Sequence, residues 1–167
     1  MTYKDRKGVE RRWEAVSRVG CDGVVIIVPV TREREVILIR QYRLVNGNYV
    51  MEFPAGLIEK GEGILEAARR ELIEETGFDG ECSVLLEGVI STGINAEKWT
   101  AVLAENARRA APEMLSRFTP DDTEDIEVMR TPVSGLYEFL EGRREKGDLV
   151  DLRIYGLMEL AGKKLGK

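Results

Sequence analysis

Between Gly56 and Phe78 the chain reads GLIEKGEGILEAARRELIEETGF, a glycine-rich loop leading into a segment with the periodicity of a helix. Gly61 and Gly63 bracket Glu62, the helix is predicted from about Ile64 to Thr76, and Gly77 stands where a left-handed C-terminal cap is expected. At about 100° per residue, Glu71, Glu74 and Glu75 crowd about a third of the helix circumference. Like charges four residues apart cost a helix about 0.2–0.5 kcal/mol per pair, so such a face calls for a counter-charge. Arg70 supplies part of it. A hard divalent cation supplies more, because Mg²⁺ takes oxygen ligands and is shared between a few carboxylates and substrate phosphates. The competing reading is a solvated Glu/Arg face with no ligand.

The composition narrows the chemistry further. A chain of 167 residues, 43% hydrophobic and 33% charged, suits one soluble globular domain with a real core. Its net charge of −5 argues against a general nucleic-acid binder, so an anionic substrate must be captured locally by metal and selected arginines. The chain contains no histidine, which removes Ser-His-Asp and Cys-His nucleophilic chemistry and His-ligated zinc together. Hydrolysis must therefore rest on carboxylates and metal. Cys21 and Cys82 lack CxxC spacing and are expected to be buried free thiols. No apolar run is long enough to span a bilayer, and Met1-Thr2-Tyr3-Lys4-Asp5-Arg6 lacks the apolar core of a signal peptide; the expectation is a cytoplasmic protein without membrane association.

Along the chain, Gly23–Val28 and Val36–Ile39 are β-branched runs joined by Thr31-Arg32-Glu33-Arg34, which predicts a buried hairpin. Asn46-Gly47-Asn48 signals a turn, and Tyr49 to Phe53 a further strand ending at Pro54. Strands are expected over Val84–Leu86 through Val89–Ile90, over Trp99–Ala104 and over Ile126–Met129. Asn106–Phe118 reads as a short helix or an irregular insert, residues 119–125 as an acidic loop, and Ser134–Arg144 and Leu149–Lys164 as amphipathic helices. Strands interleaved with a few helices predict an α/β sandwich.

Gly56, five residues, Glu62, seven residues, then Arg70-Glu71-Leu72-Ile73-Glu74-Glu75-Thr76-Gly77-Phe78 resembles the Nudix box at all nine fixed positions. Flanking segments resemble the ADP-ribose pyrophosphatase branch of that superfamily: Arg12–Arg18, Ile39-Arg40-Gln41-Tyr42-Arg43, Glu52-Phe53-Pro54-Ala55-Gly56-Leu57-Ile58-Glu59, and later Glu124-Asp125-Ile126-Glu127-Val128. The resemblance implies a Nudix-type α/β/α sandwich with a mixed sheet, organised as an N-terminal arm or strand (residues 1–20) on a single hydrolase domain (residues 21–167).

Carried over by position, the resemblance makes Glu71 and Glu75 the principal metal ligands. Glu74 is a further or water-bridged ligand and the Ala55 carbonyl completes one site. The cofactor implied is Mg²⁺, with Mn²⁺ as the alternative. Arg70 and Glu62 orient the ligand helix, and Gly56 gives the loop an unusual backbone and close approach to phosphate. Glu124 positions or deprotonates the attacking water, with Asp122 as its rival. Trp13 matches an adenine-stacking position, and Arg18 and Arg43 match ligand-contacting arginines. Against these stand a half-buried strand role for Trp13 and surface ion pairs for the arginines. Glu52 either contacts ligand or braces the loop.

Two departures from the branch are visible. Ser91-Thr92-Gly93 stands where Ser-Pro-Gly is frequent, and the chain begins close to Trp13, with a short version of the arm that the branch exchanges between subunits of a homodimer. The implied activity is Mg²⁺-dependent hydrolysis of ADP-ribose or a related nucleoside diphosphate sugar to AMP and a sugar phosphate. The alternatives are a noncatalytic nucleotide-binding Nudix domain and a pyrophosphatase for another nucleotide sugar, a dinucleotide or a housecleaning nucleotide.

Overall fold

The computed structural model describes residues 1–118 and 125–166. In order, the strands and helices are β1 (Thr2–Lys4), β2 (Glu10–Arg12), β3 (Cys21–Thr31), β4 (Glu35–Arg43), β5 (Asn48–Glu52), β6 (Ala55–Glu59), α1 (Ile64–Thr76), β7 (Phe78–Gly88), β8 (Trp99–Arg109), α2 (Pro112–Arg117), β9 (Ile126–Pro132), α3 (Leu136–Glu145), β10 (Leu149–Val150) and α4 (Arg153–Lys164). Strands β1 and β2 form a small antiparallel hairpin of their own. The other eight make one mixed sheet in the order β10-β5-β4-β3-β8-β7, with β6 added on β3 and β9 on β4.

The β-branched runs explain why the sheet has two cores. On β3, Val25 and Ile27 point to one face, where Ala67, Ala68 and Leu72 of α1 cover them. Ile26, Val28 and Val30 point to the other, against Leu136 and Leu140 of α3 and Ile154 and Ala161 of α4. Strand side chains alternate faces, so a strand covered on both sides reads as an unbroken apolar run. Helices on both faces of a mixed sheet give the α/β/α sandwich expected from the chain.

The sheet forks where the site lies. The N-terminal half of β3 pairs with β6 (Ile26 opposite Ala55), whereas its C-terminal end pairs with β4 (Val30 opposite Val36). At the split, the Ile27 N–H donates to the Pro54 carbonyl at 2.8 Å. Pro54 has no N–H for a ladder and stands between the strands, so the chain leaves one half of the sheet at Glu52 and enters the other at Ala55.

Helix α1 spans the predicted residues, and Gly77 closes it at φ 69°, ψ 19°, its N–H donating to the Ile73 carbonyl. Elsewhere the structure corrects the sequence reading. Strand β7 starts at Phe78, directly after the cap, and the predicted continuation through Val89–Ile90 lies beyond its end at Gly88. Asn106–Arg109 continues β8, leaving only Pro112–Arg117 helical. Leu149–Val150 is a strand parallel to β5, so α4 begins at Arg153. Cys21 and Cys82 are free thiols but only half-buried, because each lies near the margin of the sheet rather than in its core.

Candidate active site

Arg70 organises the box. Its Nε and Nη2 bond the two oxygens of Glu62 at 2.9 Å each, its Nη1 bonds Glu71 at 2.7 Å and Glu74 at 3.1 Å, and its Nη2 also donates to the Leu57 carbonyl at 2.9 Å. A guanidinium has five N–H donors in a fixed plane, and every one of them is used. The bonds to Glu62 raise the Arg70 pKa further above its ordinary value. The same bond holds the Glu62 carboxyl below the usual carboxylate range, and Glu62 in turn accepts the Glu59 N–H at 3.0 Å. Loop and helix are thereby joined through one side chain.

One guanidinium serves three carboxylates, so the cluster stays net negative even before Glu75 is counted. Glu75 accepts the Ala55 N–H at 2.9 Å, tying the helix to the start of β6. Gly56 shows no left-handed backbone; a Cβ there would stand 1.9–2.2 Å from the carboxylate atoms of Glu71. The glycine is needed for close approach of Glu71 to the strand, and the expectation of an unusual backbone is corrected accordingly.

Among the described residues no three acidic or thiol side chains already converge at metal-ligand spacing, since Glu71 and Glu74 turn to Arg70 and Glu75 to the Ala55 N–H. The donor set nevertheless fits a hard divalent cation: it is all oxygen, anionic and gathered on one helix face, against a strand that omits a side chain at Gly56.

The carboxylates open onto a cleft of about 620 Å³ whose walls include Ala55, Gly56, Arg70, Glu71, Glu74 and Glu75. It adjoins an outer cavity of about 1020 Å³ bounded by the turn after β4 and the start of α4. Arg18 and Arg43 reach both spaces. Arg18 pairs with buried Glu97 at 2.9 Å, and Arg43 pairs with buried Glu52 at 2.7 Å. Burial pushes the Glu52 carboxyl up in spite of Arg43. Burial also pushes Glu97 up, but bonds from Asn95 and from the backbone and side chain of Arg18 bring it below its ordinary value.

The structure gathers Arg18, Arg43, Glu52, Ala55, Gly56, Arg70, Glu71, Glu74 and Glu75 around this cleft. Glu62 stands behind it on Arg70. Trp13 is not among the residues lining either space: it is 53% exposed and its indole N–H donates to the Gly93 carbonyl at 2.8 Å, in the Ser91-Thr92-Gly93 loop. Asp122 and Glu124 lie outside the described residues. Sequence reasoning missed Trp99 and Arg153, which line both spaces. The available signal was Asp151, two residues ahead of Arg153 and able to cap a helix starting there, but a helix drawn from Leu149 concealed it.

The NUDIX domain family model matches residues 22–151. An ADP-sugar pyrophosphatase of Mus musculus is 35% identical over 168 residues, covering 92% of this chain and 75% of its own. A GDP-mannose pyrophosphatase of Escherichia coli is 32% identical over 166 residues, covering 93% and 82%. A solved ADP compounds hydrolase superposes with a TM-score of 0.74 at 26% identity, covering 99% of this chain and 85% of that one. With the box built as described and the family model covering most of the chain, the protein belongs to the Nudix hydrolases.

Proposed function

We propose that the protein hydrolyses the diphosphate bond of ADP-ribose or a related nucleoside diphosphate sugar, giving AMP and a sugar phosphate, with Mg²⁺ as cofactor and Mn²⁺ as a substitute. The carrying observation is the juxtaposition of a net-negative carboxylate cluster on α1 with arginine-bearing walls across one cleft. An anionic diphosphate between them needs a cation on one side and guanidinium donors on the other. Two relatives similar over nine-tenths of this chain bear the names of nucleoside diphosphate sugar pyrophosphatases.

Glu71, Glu74 and Glu75, with the Ala55 carbonyl, would hold the cation, which when bound neutralises diphosphate charge and acidifies the attacking water. Arg70 and Glu62 keep the ligand helix against the loop. Arg18 and Arg43 bind and orient the substrate, each pre-set by a buried carboxylate. Glu124, with Asp122 as rival, aligns the water and takes its proton. Glu52 fixes Arg43.

Residues 21–167 act as one hydrolase domain and residues 1–20 as an arm. The arm places Trp13 on the adenine of a partner subunit in a homodimer that uses the same patch twice. The protein works in the cytoplasm without nucleic acid or membrane; no helix among the described residues is long and apolar enough to cross a bilayer.

Product analysis over ADP-ribose, GDP-mannose, an adenine dinucleotide and a housecleaning nucleotide in Mg²⁺ tests the reading. AMP and ribose 5-phosphate from ADP-ribose are expected, with light scattering showing a dimer. Binding without turnover of any of them identifies a noncatalytic domain, and preferred cleavage of another member of the panel reassigns the substrate. Mixing Trp13→Ala with Glu75→Gln protein should restore activity above the sum of the separate variants if subunits exchange; an active monomer refutes the shared site.

A further inference from the structure

Five residues, Arg18, Arg43, Glu52, Trp99 and Arg153, line both the inner cleft and the outer cavity and so form the neck between them. Three of the five are arginines, and each has a carboxylate partner placed behind it. The side chains of Glu97, Glu52 and Asp151 are 4%, 6% and 12% exposed, against 55%, 37% and 28% for the guanidinium partners. In each pair the guanidinium is thus the more exposed partner and the carboxylate the more buried one, so the neck offers more cationic than anionic surface.

Arg153 is held on two sides. Its guanidinium lies over the Trp99 ring, with Cζ 4.6 Å from the centroid. Its Nε donates to Asp151 at 2.6 Å, and the other Asp151 oxygen accepts the Arg153 backbone N–H at 2.9 Å. A planar cation held on an aromatic face from one side and by a carboxylate from another has already lost its rotamer freedom, so little ordering remains to be done when an anion arrives.

We propose that Arg153 is a substrate-binding residue that contacts the phosphate on the nucleoside side of the scissile bond. The assignment to that side rests on the function proposed above and on the contrast between the two spaces. The metal-binding carboxylates border only the inner cleft. The outer cavity is bordered instead by Tyr42, Leu44 and Tyr155, surfaces that suit a base. A diphosphate threaded through the neck then puts its sugar-phosphate half at the carboxylates and its nucleoside phosphate beside Arg153.

The test compares wild type, Arg153→Lys and Arg153→Gln in Mg²⁺, with ADP-ribose as substrate and AMP and ribose 5-phosphate as competing inhibitors. A charge-assisted contact of this kind predicts an increase in KM of about tenfold to a hundredfold for Arg153→Gln, with kcat changed less than about threefold. The AMP inhibition constant should rise in parallel, that of ribose 5-phosphate should not move, and Arg153→Lys should fall between. A merely structural role would lower Tm and affect both inhibitors alike. Unchanged KM and AMP inhibition in Arg153→Gln, with wild-type turnover intact, overturns the proposal, and a shift confined to ribose 5-phosphate overturns the side assigned. If Arg153→Gln does not fold, unchanged KM and AMP inhibition in Arg153→Lys overturn it as well. Absence of wild-type turnover refutes the functional reading instead, and AMP titration by calorimetry still decides whether Arg153 binds a nucleoside phosphate.

Discussion

Replacing Gly56 by alanine separates ligand placement from folding. The new Cβ would meet Glu71 Cδ, Oε1 and Oε2 at 1.9, 2.0 and 2.2 Å, distances no real Cβ tolerates, so the carboxylate must retreat by about 1 Å or more. The retreat strains the 2.7 Å bond from Arg70 to Glu71. The clash is with the end of a flexible side chain, and Gly56 has a backbone conformation open to alanine. Stability should therefore change little: restricting the unfolded chain contributes about 0.4–1 kcal/mol, and weakening one hydrogen-bonded pair costs about 0.5–1.5 kcal/mol. A Tm within about 4 °C of wild type follows. Catalysis is far less forgiving, because misplacing a catalytic group by about 1 Å costs about 10²-fold. AMP release at saturating substrate and Mg²⁺, followed by chromatography, should show that loss in kcat. A variant with kcat within threefold of wild type would refute the reasoning, and a Tm lowered by more than 10 °C would show that Gly56 serves the fold.

Glu75→Gln should lose at least about 100-fold in kcat with a smaller loss in substrate affinity, since one electrostatic contact in a transition state contributes about 2.7–4 kcal/mol; near-normal turnover under controlled metal would exclude Glu75 as a ligand. Glu124→Gln should lower kcat more than Asp122→Asn while metal affinity stays unchanged in both, and the reverse order would move the water-positioning role to Asp122. Glu62 has a folded-state pKa held below its ordinary 4.5 by Arg70, so its stabilisation is complete above that value and lost as pH falls through the folded one. Urea denaturation should accordingly find Glu62→Gln less stable than wild type at pH 7, with the gap closing toward pH 3; a gap that widens on acidification would contradict the sign. Burial pushes the Cys82 thiol up to about 11, so alkylation at pH 7.5 should be slow in the folded protein and rapid in urea, and equal rates would show that the thiol is not shielded.

The box was legible because its signals are local. Glycine at the loop, acidic residues at helical spacing and Gly77 at the cap act within one loop and helix, and α1 occupies the residues its periodicity predicts. The core was legible in the β-branched runs of β3 and β4, since strands covered on both faces carry no polar alternation. The far wall of the cleft was not. Arg153 reaches it because two residues, Leu149 and Val150, pair with Val50 and Met51 about a hundred positions earlier, a long-range contact with no periodic trace. The small hairpin β1–β2 was equally hidden, its six residues all exposed and without an apolar pattern. Asp122 and Glu124 lie outside the described residues, so their register rests on sequence alone.

The saturation of Arg70 bears on how the protein exists before it meets a cation. Zinc fingers leave their ligands without partners and stay unfolded until metal arrives. Here a resident guanidinium already neutralises part of the repulsion on α1, so the helix can form during synthesis with no metal in reach. Under the function proposed above, a divalent ion held by Glu71 and Glu74 would compete with that guanidinium for them. Its affinity would then be set by the difference between two counter-charges, and its arrival or departure would switch activity while the fold stays in place. Chelation should thus silence the protein and leave its melting transition nearly where it was, as expected of a folded scaffold on which divalent metal would act as a reversible control.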